Sequence, residues 1–244
     1  MVAAPPQRAM PPYPMSPDDA TPALVATRVW DLPTRLFHWL LAACVLGLVI
    51  TGNLGGNALE WHMRFGVSVG ALLVFRLVWG VLGGRWSRFT SFLYSPAALA
   101  RYLRGRPLPQ DHFDIGHNPL GSFSVFALLG VLLLQVSTGL MADDEIATTG
   151  PLNRFVSSAT ASLATGWHKG YGPWLIYALV ALHLAAITYY VRWKKQMLLR
   201  PMWHGDKLLP AGSPASTDHR VTRVVAGLLA LACAASAVWI YRLG

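Results

Sequence analysis

Eight histidines stand out in a chain of 244 residues that is poor in charge, with only 13% Asp, Glu, Lys or Arg. An ordinary soluble domain carries about 25%. Four of them, His38, His62, His168 and His183, lie in or at the ends of long apolar runs. An imidazole in such surroundings ligates a metal through a neutral ring nitrogen, relays protons, or packs as a hydrogen-bonded core residue. Cys44 and Cys233 also sit in apolar runs, and no CxxC or CxxCH pattern occurs. A disulfide framework, a zinc knuckle and covalent haem attachment therefore lack support.

The elements that must position these histidines are membrane-spanning helices. Hydrophobic residues make up 54% of the chain. Five apolar segments, at 36–53, 65–84, 119–141, 170–191 and 224–241, are each long enough to cross a bilayer as about 20 helical residues. The fold class expected is all-α and integral to the membrane, because a lone span in hydrocarbon must satisfy its own backbone. The alternation of an outer-membrane barrel is absent. Residues 1–27, with seven prolines in the first 22 positions, hold no apolar run suited to a signal peptide and read as a disordered tail.

Fifteen of the twenty Lys and Arg residues fall on the side of the N-terminus, and four on the other side. The exception, Arg76, lies within the second span. The positive-inside rule then places the N-terminus in the cytoplasm and the C-terminus outside. That bias also accounts for the net charge of +9 without nucleic acid. Trp30, Trp39, Trp61, Trp86, Trp167, Trp193 and Trp239 stand near span ends, as an interfacial belt requires.

Depth sorts the four histidines. His38 lies a few residues into the first span from the inner side, and His62 stands at the outer entry of the second. His168 is at the outer entry of the fourth span. His183 follows 15 residues later, roughly 22 Å along the helix and about 60° around it. His62 can then face His168 at the outer level, and His38 can face His183 in the inner half. Two such pairs are what two bis-histidine haems stacked across a bilayer need, a site without an open position for oxygen and suited to electron transfer. A bare metal ion calls for three or four converging ligands, and spans one to four offer one Cys and no interior carboxylate. Arg76 needs an anionic partner at its depth: a haem propionate, a lipid head group, or the interface by snorkelling. Gly66, Gly70, Gly130, Gly139, Gly170 and Gly172 leave room for a macrocycle or for close helix contact.

These residues carry a family resemblance. "DLPTRLFHWLLA" at the first span, "ALLVFRLVWGVLG" after His62, "GHNPLG" entering the third span, "WHKGYGPWLIYALVALH" on the fourth and "RWKKQMLLRPMW" after it occur in order. Over roughly residues 28–210 the chain resembles the bacterial cytochrome b-561 and nickel-hydrogenase cytochrome b superfamily of di-haem membrane proteins. The resemblance implies a four-helix transmembrane di-haem bundle with two non-covalent haem b groups. It implies His38 with His183 on the cytoplasmic-side haem and His62 with His168 on the outer one. Arg76 matches the family's arginine in the second span. His117 matches a histidine at the start of the third span, serving haem propionates or a quinone; a solvated interfacial histidine is the other reading. The fifth span departs from the family plan. It suggests a division into a di-haem domain at 28–209, a linker at 210–219 and an accessory transmembrane helix at 220–244.

The function expected is an electron-transfer subunit of the bacterial inner membrane rather than a stand-alone enzyme. Electrons would pass between a periplasmic redox partner, such as a c-type cytochrome, and the membrane quinone pool. The acidic run Asp143, Asp144 and Glu145 suits docking of a basic partner. Two alternatives stand beside this reading. One is superoxide:quinone oxidoreduction at the outer face, with Arg64 and Lys169 as a cationic funnel. The other is the cytochrome b subunit of a hydrogenase-like or other periplasmic oxidoreductase complex.

Overall fold

The computed structural model of the protein describes residues 23–108, 110–146 and 148–244. Its element order is β1 (Leu24–Arg28), α1 (Leu32–Leu54), α2 (Ala58–Leu82), α3 (Pro96–Leu103), α4 (Pro119–Met141), α5 (Ser158–Gly166), α6 (Gly172–Arg192), α7 (Leu199–His204), β2 (Asp206–Pro210) and α8 (Arg220–Tyr241). Five helices are long and apolar enough to cross a membrane: α1, α2, α4, the 35-residue run Ser158–Arg192, and α8.

The helix starts are written locally. Asp31, Ser95, Asn118 and Ser157 each cap the helix that follows by accepting a backbone N–H three residues on. Proline stands in the first turn of α1, α3 and α4, where no amide partner is needed. Gly55 and Gly56, with φ of 64° and 54°, turn α1 back into α2, a left-handed pair that glycine adopts without a Cβ clash.

The fourth span begins a dozen residues before the expected 170. Residues Ser158–Gly166 are small and mildly polar, so hydropathy alone does not register them. Ser157 nonetheless starts a helix there, and a π-helical turn, Trp167–Tyr171, joins it to α6.

Val69, Leu73, Leu132 and Ile176 form a buried cluster of α2, α4 and α6, with Leu41, Cys44 and Leu48 of α1 against it. A second cluster joins Phe37 of α1, Phe75 and Trp79 of α2, and Ala226 and Cys233 of α8. The fifth helix thus shares a core with the first two.

One end of the bundle carries a cap. Strands β1 and β2 pair antiparallel, from Leu24 opposite Pro210 to Arg28 opposite Asp206. Val29, Trp30, Trp86, Ile115 and Leu209 pack beneath them. Two expectations change here. The tail read at 1–27 lies mostly outside the described residues, but its last residues are strand, because β2 supplies their backbone partners. The segment read as a linker at 210–219 is built into the cap. Ser216, 7% exposed, donates its N–H to the Arg28 carbonyl at 2.7 Å and its hydroxyl to the Val29 carbonyl at 2.7 Å. Trp86 donates its indole N–H to the Pro214 carbonyl at 2.8 Å. Arg28 pairs with both Asp206 and Asp218, and Arg223 of α8 pairs with Asp218 at 2.9 Å. Trp30 and Trp86 therefore leave the expected interfacial belt for the cap core.

Candidate functional site

Two histidine pairs line the bundle, one toward each end. Near the cap, His38 of α1 and His183 of α6 have ring centroids 6.5 Å apart at an interplanar angle of 49°. At the opposite end, His62 of α2 and His168 of the π turn lie 6.0 Å apart at 85°.

The rings at the far end are held from behind. His62 donates through Nδ1 to the Leu48 carbonyl at 3.1 Å, and His168 donates through Nδ1 to the Gln135 carbonyl at 2.9 Å. A carbonyl only accepts, so Nδ1 carries the proton and Nε2 keeps its lone pair. Two glycines make the room. A Cβ on Gly52 would stand 3.0 Å from Cε1 of His62, and one on Gly139 would stand 2.6 Å from Cε1 of His168.

The cap-side pair lies among unpartnered polar atoms. Among the described residues, Nδ1 of His38, Nη1 of Arg76 and Nδ1 of His117 are buried without a hydrogen-bond partner. Arg76 is 3% exposed, with its guanidinium 4.6 Å from the ring centroid of Phe89. His117 sits between Trp30 and Phe92, whose ring centroids are 4.7 and 4.6 Å away. Burial, with Arg76, His38 and His183 adding to it, pushes the His117 imidazole down to about 3, so it is neutral at physiological pH. A buried guanidinium without a hydrogen-bonded anion is costly, and the unpartnered Nη1 of Arg76 is suited to an anionic group.

Among the described residues, no three His, Cys, Asp or Glu side chains converge on one point. The arrangement consists of opposed imidazole pairs rather than a cage for a bare ion.

Comparison with known proteins identifies the family. The family described as prokaryotic cytochrome b561 matches residues 29–205. Similar proteins include the probable Ni/Fe-hydrogenase 1 B-type cytochrome subunit of Escherichia coli (strain K12), 24% identical over 66% of this chain and 82% of its own length. The probable Ni/Fe-hydrogenase B-type cytochrome subunit of Cupriavidus necator is 26% identical over 67% of this chain and 80% of its own length. Its counterpart in Rhizobium leguminosarum bv. viciae is 24% identical over 74% of this chain and 88% of its own length. No solved structure matches the chain. The chain belongs to the prokaryotic cytochrome b561 family. It is a multi-pass membrane cytochrome b that works in electron transfer, and a b-type cytochrome carries haem b.

Three groups that shape the site escape a reading of residue types. Asp31 is fully buried and accepts from Thr34 N, Trp79 Nε1, Gly84 N and Ser87 Oγ. Its place before Leu-Pro signals a cap but not its burial. Gly52 is one small residue among many in its helix. Gln135 gives the clearest signal, a carboxamide in the middle of an apolar span.

Proposed function

We propose that the protein holds two haem b groups, one between His38 and His183 and one between His62 and His168. Through them it passes electrons across the membrane between a periplasmic redox partner and the quinone pool. The observation that carries this reading is the separation within each pair. An imidazole nitrogen binds a metal at about 2.0–2.1 Å and its ring centre lies about 1.1 Å beyond, so two rings that face each other across one metal would be roughly 6.3 Å apart. The observed 6.5 and 6.0 Å fit that span. The Nδ1 bonds of His62 and His168 support it further, because they leave Nε2 free and fix the rings.

The chain's own residues supply the rest. Arg76, with Nη1 unpartnered, balances the carboxylate charge of the cap-side group. His117, neutral and boxed by two aromatic rings, presents Nδ1 as a further polar contact there. The haem supplies one-electron redox chemistry, and the protein tunes it through ligand orientation and local charge.

The positive-inside bias puts the cap and the N-terminus in the cytoplasm and the C-terminus in the periplasm of a bacterial inner membrane. The turn containing Asp143 and Glu145 then faces the periplasm and suits a basic redox protein. The names of the similar proteins favour a second reading of the partner, a hydrogenase. The superoxide reading loses a cation of its funnel, since Arg64 pairs with Glu60 and lies 4.9 Å over Trp61.

The test is a redox-titrated visible spectrum with pyridine-haemochrome stoichiometry on the wild type, His183→Ala and His168→Ala. Two haems per chain, each variant losing a different one, is the expected result. A single haem, or the same loss in both variants, overturns the paired assignment. Reduction by added quinol, compared with reduction by a c-type cytochrome or by a hydrogenase with hydrogen, separates the partners.

A further inference from the structure

The π turn that carries His168 has a defect that one side chain repairs. The N–H of Gly172 is taken by the carbonyl of Trp167, five residues back. The donor that would reach the His168 carbonyl across the next five-residue step is residue 173, which is proline and has no N–H. The His168 carbonyl is therefore left without a helical donor inside a span, where an unmade backbone hydrogen bond is expensive. The Nε2 of Gln135, on α4, donates to that carbonyl at 2.9 Å. The backbone carbonyl of the same residue accepts from His168 Nδ1 at 2.9 Å. One residue thus grips both the main chain and the ring of His168. The neighbouring glycines are shaped around this grip: a Cβ on Gly172 would collide with the Gln135 carboxamide, and one on Gly139 would enter the His168 ring.

We infer that Gln135 is the positioning residue of the outer histidine pair: its carboxamide replaces the helical donor that Pro173 lacks and so fixes the direction of His168 Nε2. The inference rests on the reading above that His168 is a haem ligand. Partners behind a metal-bound histidine typically control affinity by 10–100-fold.

The experiment uses the full chain, purified with its haems. Gln135→Met keeps side-chain length and removes the amide donor. Gly172→Ala keeps Gln135 and pushes its carboxamide aside. Each is read by electron paramagnetic resonance, by the two midpoint potentials, and by the rate of haem transfer to apomyoglobin. The expected result is an altered resonance and a shifted midpoint for the outer haem alone, which leaves roughly ten-fold faster or more. The His38–His183 haem keeps its wild-type signals and reports intact folding. Wild-type behaviour of both haems in Gln135→Met overturns the inference, and so does an equal disturbance of both haems in the two variants. Retention of both haems by His168→Ala overturns instead the ligand reading beneath it.

Discussion

The imidazole of His168 lies directly on Gly139 of α4, where a Cβ would stand 2.6 Å from ring atom Cε1. The corresponding seat for His62 on Gly52 is looser, at 3.0 Å. Real Cβ contacts do not reach the first distance, so Gly139→Ala must rotate the ring or part the helices. Gly139→Ala is expected to shift the midpoint of the haem proposed between His62 and His168, and Gly139→Val to abolish its absorbance. Gly52→Ala should do less. Spectra and potentials of the three variants check the order, and equal effects at the two glycines would show that the seats do not differ.

Asp31 gathers the start of α1, the end of α2 and the loop after it into one buried knot. Its carboxylate accepts at 2.9 Å from Thr34 N, 2.8 Å from Gly84 N and 2.9 Å from Ser87 Oγ. Asp31→Ala strands these donors and is expected to cost about 3 kcal/mol. Asp31→Asn keeps one oxygen and should cost about half as much. Denaturant unfolding in micelles measures both, and a loss under about 1 kcal/mol in the alanine variant would mean that water or relaxation replaces the knot.

Arg76→Gln removes the buried positive charge beside the cap-side pair. A nearby cation favours the reduced, less positive state of a redox centre. Its loss therefore lowers the midpoint of the haem assigned to His38 and His183 and leaves the outer midpoint in place. Potentiometric titration reads both at once. A rise, or an equal movement of both midpoints, would contradict the placement of Arg76.

The segment between α3 and α4 is pinned by Asp111, which takes a forked pair of bonds from Arg101 at 2.6 and 3.0 Å and the amide of Leu108 at 2.8 Å. The hydrogen bond from Arg101 holds the Asp111 carboxyl below its ordinary range. A group with a lowered folded pKa binds fewer protons in the native state, so its contribution is full above the unfolded value of about 3.9. It is lost as the pH falls through the lower folded value. Arg101→Gln should melt earlier than wild type at neutral pH, and the gap should close as the pH falls through the lowered folded value of Asp111. A gap that persists there would assign the effect to packing rather than to charge.

Much of the proposed site is legible in residue types and spacing. The four histidines, Arg76 and His117 announce themselves because ionisable groups are scarce in apolar spans. Spans four and five differ in legibility for a local reason. The apolar run of α8 is uninterrupted, whereas α5 is small and polar enough for its helix to be set by the Ser157 cap. Pro173 is visible in the chain, but the carbonyl it leaves open is not, because that depends on which register the turn adopts.

The sequence by itself determined the membrane class, the number of spans and where along its span each histidine falls, since hydropathy and helical rise depend on position along one chain. Only the tertiary structure decided that residues 210–219 belong to the cap and that Asp31 is a buried knot. It alone brought Gln135 to the turn around His168. Each of these joins elements distant in sequence, and a donor without a partner in its own helix finds one only when another helix is packed beside it.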